Sequence, residues 1–174
     1  EARGVAPGER VCLFLDRVPE LYFAFVGILK RGAVVQPLFS AFGEESLATR
    51  LLDAGACCLF TQRKHLPKVR RARAQLPALR LVAVVDAGDA RLAEGEVAFD
   101  LDALPRLGEY DVFPAGPEAP SVLHYTSGTT GQPKGAQHVH RSLVSQYLTA
   151  RWVLDLKDDD VYWCNADPGW VTGT

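Results

Sequence analysis

The sequence predicts an α/β fold, a largely parallel sheet with flanking helices. Three observations carry that prediction. Short, β-rich apolar runs alternate with helix-length segments through the first hundred or so of the 174 residues. The spacers are too long for hairpins and long enough for crossover helices. Helix punctuation, acidic residues or Pro at the start and Gly at the end, recurs in those spacers.

Taken in order, residues 10–15 (RVCLFL) have the length and composition of a strand. Residues 19–31 open with Pro19 and Glu20, carry Lys30 and Arg31 in the last turn, and stop at Gly32. That pattern predicts a helix, and apolar residues nearly all round it predict a buried one. Residues 33–38 (AVVQPL) form the second strand, 44–53 a second helix closed by Gly55, and 57–61 a third strand. A basic helix and a fourth strand at 81–85 (LVAVV) follow.

Charge then changes sign. Residues 62–80 hold seven basic and no acidic residues, whereas 86–119 hold nine acidic and two basic ones, a net of -7. The basic segment reads as the solvated face of a surface helix, with an acidic or phosphate partner as the alternative. The acidic stretch, rich in Gly, Pro and Ala, reads as an exposed excursion. There is no internal repeat.

Composition is that of an ordinary globular chain, 48% apolar and 23% charged. A net charge of -2 gives no reason to expect nucleic acid as a partner. The longest strongly apolar run, 21–29, is about half of a membrane span, so no membrane partner is expected. Cys12, Cys57, Cys58 and Cys164 show no CxxC spacing and read as reduced thiols rather than a disulfide framework or zinc site. A chain that opens on Glu1, contains no Met and stops at GWVTGT is expected to be a piece of a longer protein.

The densest chemical signal is 125–135, YTSGTTGQPKG. It leaves a strand at 121–125 and enters a short alternating run at 136–140, before a helix from Ser142 to about Leu154. A Walker loop requires GxxxxGK[ST] running straight into a helix. Here, counting from Gly128, the sixth position is Pro133, and Lys134 is followed by Gly135. The Walker reading fails on spacing and on context. Phosphate chemistry survives it. Gly128, Gly131 and Gly135 allow backbone N–H groups to approach an anion, and Thr126, Ser127, Thr129 and Thr130 offer hydroxyl donors. Lys134 adds a full positive charge behind the stiff Pro133.

TSGTTGQPKG resembles the signature loop of the adenylate-forming superfamily, which includes acyl-CoA synthetases, peptide-synthetase adenylation domains and luciferases. The resemblance implies that 126–131 with Lys134 and Gly135 hold the departing β- and γ-phosphates of ATP, with Lys134 catalytic. It implies ATP, Mg²⁺ and CoA as cofactor and co-substrates, a small carboxylate as substrate, and a cytoplasmic enzyme. Residues 161–173 (VYWCNADPGWVTG) are similar to a segment of acetyl-CoA synthetases and short-chain relatives, differing at Asn165 and Pro168. On that likeness Trp170 and Val171 would line the acyl pocket and Thr172 would contact CoA. Taken by itself, the segment is a buried strand running into a turn, with Trp163 and Trp170 as core aromatics.

The resemblance also covers 32–56 and hence nearly the whole chain, least so the acidic excursion. It makes residues 1–174 an incomplete part of an N-terminal AMP-binding domain. The adenine and ribose motifs, hinge and C-terminal lid with its catalytic Lys would then lie elsewhere, so this piece alone is expected to be inactive. Two rival readings are a phosphate-binding module without ligase activity and an adenylation domain that loads a carrier protein. His124, His138 and His140 could be imagined as a metal cluster, the last two spaced HxH on one strand, but no carboxylate or thiol at metal-ligand spacing completes it, so they read as strand histidines. No GxSxG or SxxK element supports a serine hydrolase.

Overall fold

The computed structural model describes residues 4–103, 110–126, 132–170 and 173. The elements run β1 (Arg10–Phe14), α1 (Pro19–Lys30), β2 (Val34–Pro37), α2 (Glu44–Ala54), β3 (Cys58–Thr61), α3 (Leu66–Ala72), β4 (Leu81–Val84), β5 (Glu96–Ala98), β6 (Pro120–Thr126), β7 (Lys134–Val139) and α4 (Ser142–Trp152). They build one seven-stranded sheet in the order β5-β4-β3-β1-β2-β6-β7. Every neighbouring pair is parallel except β6 with β7, which is antiparallel. The largely parallel α/β sheet expected from the sequence is therefore present.

Alternation along the central strands divides the core in two. Val11, Leu13 and Leu15 face α1, packing with Leu21, Ala24, Ile28, Val35 and Val122. Cys12 and Phe14 face the other way, against Leu47 and Leu51 of α2, Leu66 and Val69 of α3, and Val82 and Val84. Burial on both faces explains why these strands are continuous apolar runs. Cys12, Cys57 and Cys58 are buried free thiols, and Cys164 is half-buried. Burial pushes the Cys58 thiol up to about 12, keeping it protonated and unreactive.

The end of α2 is unusually well fixed. Gly55 takes the left-handed conformation (φ 57°, ψ 44°) that only glycine adopts cheaply, and closes the helix there. Arg10 of β1 then donates from Nε to the Ala54 carbonyl at 2.6 Å and from Nη2 to that of Gly55 at 3.4 Å. These bonds satisfy carbonyls that a helix end leaves without intrahelical partners.

Four expectations need correction. Helix α1 is not buried all round: Leu21, Ala24 and Ile28 face the sheet, while Tyr22, Phe23 and Val26 are exposed. A helix lying on one sheet face covers a single stripe, and no further layer covers the opposite one among the described residues. The acidic excursion also contains structure. Within it β5 adds a parallel edge strand, and the Glu96 side chain is only 1% exposed.

The basic segment is likewise more than a solvated face, because it is the electrostatic partner of that excursion and of α2. Arg70 grips Glu96 with two bonds, Nε to Oε1 at 2.9 Å and Nη2 to Oε2 at 2.7 Å. Arg63 pairs with Asp89 at 2.5 Å, and Arg71 with Glu44 at 2.6 Å. The Arg70 bonds hold the Glu96 carboxyl below its usual range. Finally, 161–163 form no strand and are not buried: Trp163 is 78% exposed, and Trp170 of the turn 55%. Apolar composition specifies that a residue favours burial, but a second layer must be there to provide it, and none is present among the described residues. No helix among the described residues is long and apolar enough to cross a membrane.

Candidate functional site

In open parallel sheets, ligand sites form at the carboxyl ends of the strands. β6 ends there at Thr126, and β7 begins at Lys134 directly opposite it, with Tyr125 opposite Gly135 in the next pair. The glycine-rich segment is thus the connection of an antiparallel hairpin whose mouth opens at that edge. The two strands and the following helix come in the order expected from the sequence. Thr126 and Lys134 are both exposed at the mouth. Ser127, Gly128, Thr129, Thr130 and Gly131 lie outside the described residues.

Beneath the mouth the strand is held in several ways. Ser121 and His124 of β6 are buried. The His124 ring stacks edge-on against that of His138 on β7, centroids 5.8 Å apart. Burial, with a smaller contribution from His138, depresses the His124 pKa to about 4, so the ring is neutral at physiological pH. Among the described residues no group of three or more His, Cys, Asp or Glu is placed to hold a metal ion. Tyr125 turns the other way and donates from its hydroxyl to Asp53 Oδ2 of α2 at 2.6 Å. Burial and that carboxylate raise its pKa above the ordinary tyrosine value.

The second segment reaches the same sheet edge by a different route. The Arg17 guanidinium, just past β1, donates to the Asn165 carbonyl at 2.8 Å. Asp167 organises the turn, accepting from the Gly169 N–H at its Oδ1 (2.8 Å) and from the Trp170 N–H at its carbonyl (2.9 Å). Gly169 lies directly on the chain that follows β2, where a Cβ would overlap the backbone of Leu38 and Phe39. Trp170 packs its ring on Phe39, centroids 5.8 Å apart. Val171 and Thr172 lie outside the described residues. Thr126 and Lys134 on one side, and Trp170 on the other, therefore meet the same edge of the sheet.

A further polar group there was not singled out from sequence. Past the ends of β1 and β3, Asp16 pairs with Lys64, and Gln62 Oε1 accepts the Asp16 N–H at 2.9 Å. His65 Nε2 lies 3.8 Å from Asp16, with its ring against Phe14. Lys64 holds the Asp16 carboxyl low, and burial holds the His65 pKa below its ordinary value. The available signal was topological. The chain places β2 on one side of β1 and β3 on the other, and the crevice at such a reversal is where α/β sheets bind ligands.

Comparison with known proteins agrees with this architecture. The model of the AMP-binding enzyme family matches residues 1–174. Acetyl-coenzyme A synthetase of Bacillus subtilis is 43% identical over 170 residues, covering 98% of this chain and 29% of its own length. Acetyl-coenzyme A synthetase 2 of Pseudomonas aeruginosa is 35% identical, covering 99% and 29%. The crystal structure of Brucella canis acyl-CoA synthetase superposes with a TM-score of 0.83 at 30% identity, over 99% of this chain and 31% of that one. Acetoacetyl-CoA synthetase from Streptomyces lividans shares the fold, with a TM-score of 0.86 at 24% identity over 97% of this chain and 28% of its own. The chain spans about three tenths of the curated relatives it matches. With that match running the length of the sequence, and with a glycine-rich hairpin at the carboxyl edge of a parallel sheet, the chain belongs to the AMP-binding enzyme family.

Proposed function

We propose that residues 1–174 are part of the N-terminal AMP-binding domain of an ATP-dependent acyl-CoA synthetase that takes acetate or another short-chain carboxylate. A carboxylate oxygen of the substrate attacks the α-phosphorus of ATP, and the bond to the bridging oxygen of the β-phosphate breaks. Pyrophosphate leaves and an acyl-adenylate remains. The CoA thiol, losing its proton, then attacks the acyl carbon and releases AMP. The observation that supports the reading is the hairpin, because it sets a hydroxyl donor (Thr126) and a cation (Lys134) opposite one another at the carboxyl edge of the parallel sheet.

That donor set fits an anionic phosphate, and the sequence from Tyr125 to Gly135 contains no Asp or Glu. In the proposed mechanism Lys134 and the hydroxyls of Thr126, Ser127, Thr129 and Thr130 stabilise charge as it builds on the departing pyrophosphate. The N–H groups of Gly128, Gly131 and Gly135 approach the same oxygens. Trp170 and Val171 border the acyl pocket, and Thr172 the path of CoA. Mg²⁺ would offset phosphate charge, entering with the nucleotide.

The names of the relatives, acetyl-coenzyme A synthetases from several organisms, support the short-chain carboxylate. The test is carboxylate-dependent ATP–pyrophosphate exchange by the full-length protein that carries this chain, followed by its CoA requirement. Exchange with acetate and CoA-dependent AMP release are expected. Acyl transfer only to a carrier protein would favour an adenylation domain. Nucleotide binding without exchange would favour a binding module. The isolated chain is expected to show no exchange, and detecting it there would overturn the view that this part is inactive alone.

A further inference from the structure

We propose that Tyr125 is a positioning residue, whose hydroxyl bond to Asp53 fixes the base of the hairpin and so the direction in which Lys134 is presented. The inference rests on the ligase reading above. It starts from a weakness in the sheet. β6 pairs with β2 only in the register Val35 with Val122, and β2 ends at Pro37. Tyr125 and Thr126 therefore lie past the ladder to β2, and among the described residues β7 is the edge strand, with 134–137 exposed. Among the described residues, this end of the hairpin has strand support from one side only.

The Tyr125 bond takes the place of that missing ladder. At 2.6 Å, from a phenol to a carboxylate, it has the short length of a charge-assisted bond, and it joins residues 72 apart in sequence. Its anchor is rigid, because Asp53 sits in the last turn of α2, whose end is held by Gly55 and by the two bonds from Arg10. One turn earlier on the same helix, the Arg50 guanidinium lies 4.1 Å from the Phe42 ring and 6.0 Å from that of Tyr125.

The ring also reaches across to β7. A Cβ at Gly135 would lie 3.1 Å from Leu123 Cδ1, a tight approach, and 3.5 Å from Tyr125 Cζ, an ordinary van der Waals contact. The Tyr125 ring therefore lies against β7 at Gly135, one residue from Lys134. Helix α2, the end of β6 and the start of β7 are thus tied together through one side chain.

The test uses the full-length protein and four variants: Tyr125→Phe, Asp53→Ala, Asp53→Asn and the double variant Tyr125→Phe/Asp53→Ala. A displacement of about 1 Å at a reacting group can cost about a hundredfold, and a loosened hairpin base should cost part of that. Tyr125→Phe and Asp53→Ala should each lower kcat for pyrophosphate exchange about tenfold, with KM for ATP changed less than about twofold. The double variant should be no worse than either single one, and Asp53→Asn, which keeps an acceptor, should fall between them and the wild type. A Tyr125→Phe rate within about twofold of wild type would overturn the proposal, as would penalties that multiply. Hydrogen exchange at residues 134–137 gives a readout that needs no catalysis, and it should quicken in both single variants. If the wild type shows no exchange activity, the ligase reading falls. Unchanged amide protection in the variants would then overturn the latch by itself.

Discussion

Acidification should loosen this protein through His124 before its carboxylates titrate. The ring is buried on β6, and its pKa falls from an ordinary 6.5 to about 4. The unfolded chain therefore binds a proton that the folded state refuses. Stability from this group is fully present above about pH 6.5 and is lost as pH falls toward about 4. With those two values, proton linkage gives a loss of about 2 kcal/mol between about pH 7 and about pH 4.5. His65, depressed in the same direction by burial, adds to the slope. The carboxylates held low by their partners, Glu9 at about 2 together with Asp16 and Glu96, lose their contribution only in more acidic solution. Urea unfolding followed by circular dichroism at the two pH values measures the loss. His124→Gln, which cannot titrate, should remove about 2 kcal/mol of pH dependence whatever it does to absolute stability. A variant with the same pH dependence as wild type would refute the assignment.

Two other substitutions probe the fold beneath the site. Leu51→Ala removes a side chain that is 1% exposed in the α2 layer, and should destabilise the protein by about 2–5 kcal/mol in urea titration. Arg70→Ala strips the buried Glu96 of its guanidinium partner, so the variant should melt lower than wild type near neutral pH. Because Glu96 is held low, its stabilising contribution is present above the ordinary carboxylate range and lost as pH falls. The gap in Tm between the two proteins should therefore narrow in acid.

The sequence was most legible where the signal is local. β1 to β4, α1 and α2 follow from short apolar runs and from end marks such as Pro19, Lys30 and Gly55, all within one or two residues of the observed bounds, whereas the basic helix was expected without bounds. The phosphate-loop chemistry was legible because glycines, hydroxyls, Pro133 and Lys134 crowd into one short stretch, but the antiparallel pairing of β6 with β7 was not. What escaped depends on residues distant in the chain. β5 is three residues long, and pairing with β4 rather than composition makes it a strand. The change of charge sign was visible, yet the Arg70–Glu96 grip across 26 residues was not. Trp163, and the helix that carries Tyr22 and Phe23, were read as buried because they are apolar, whereas burial also needs a neighbouring layer. Tyr125 gave no sign in sequence that its hydroxyl would find Asp53.

Lys134 is where the functional account is most exposed. If the hairpin presents this cation to the departing pyrophosphate, losing a charge-assisted bond worth about 1.5–3 kcal/mol should slow adenylation by about ten- to two-hundredfold. The measurement is acetate-dependent ATP–pyrophosphate exchange by the full-length protein, wild type against Lys134→Ala, with circular dichroism to verify folding. A loss of tenfold or more in a folded variant is predicted. An unchanged rate would remove Lys134 from the chemistry and contradict the account.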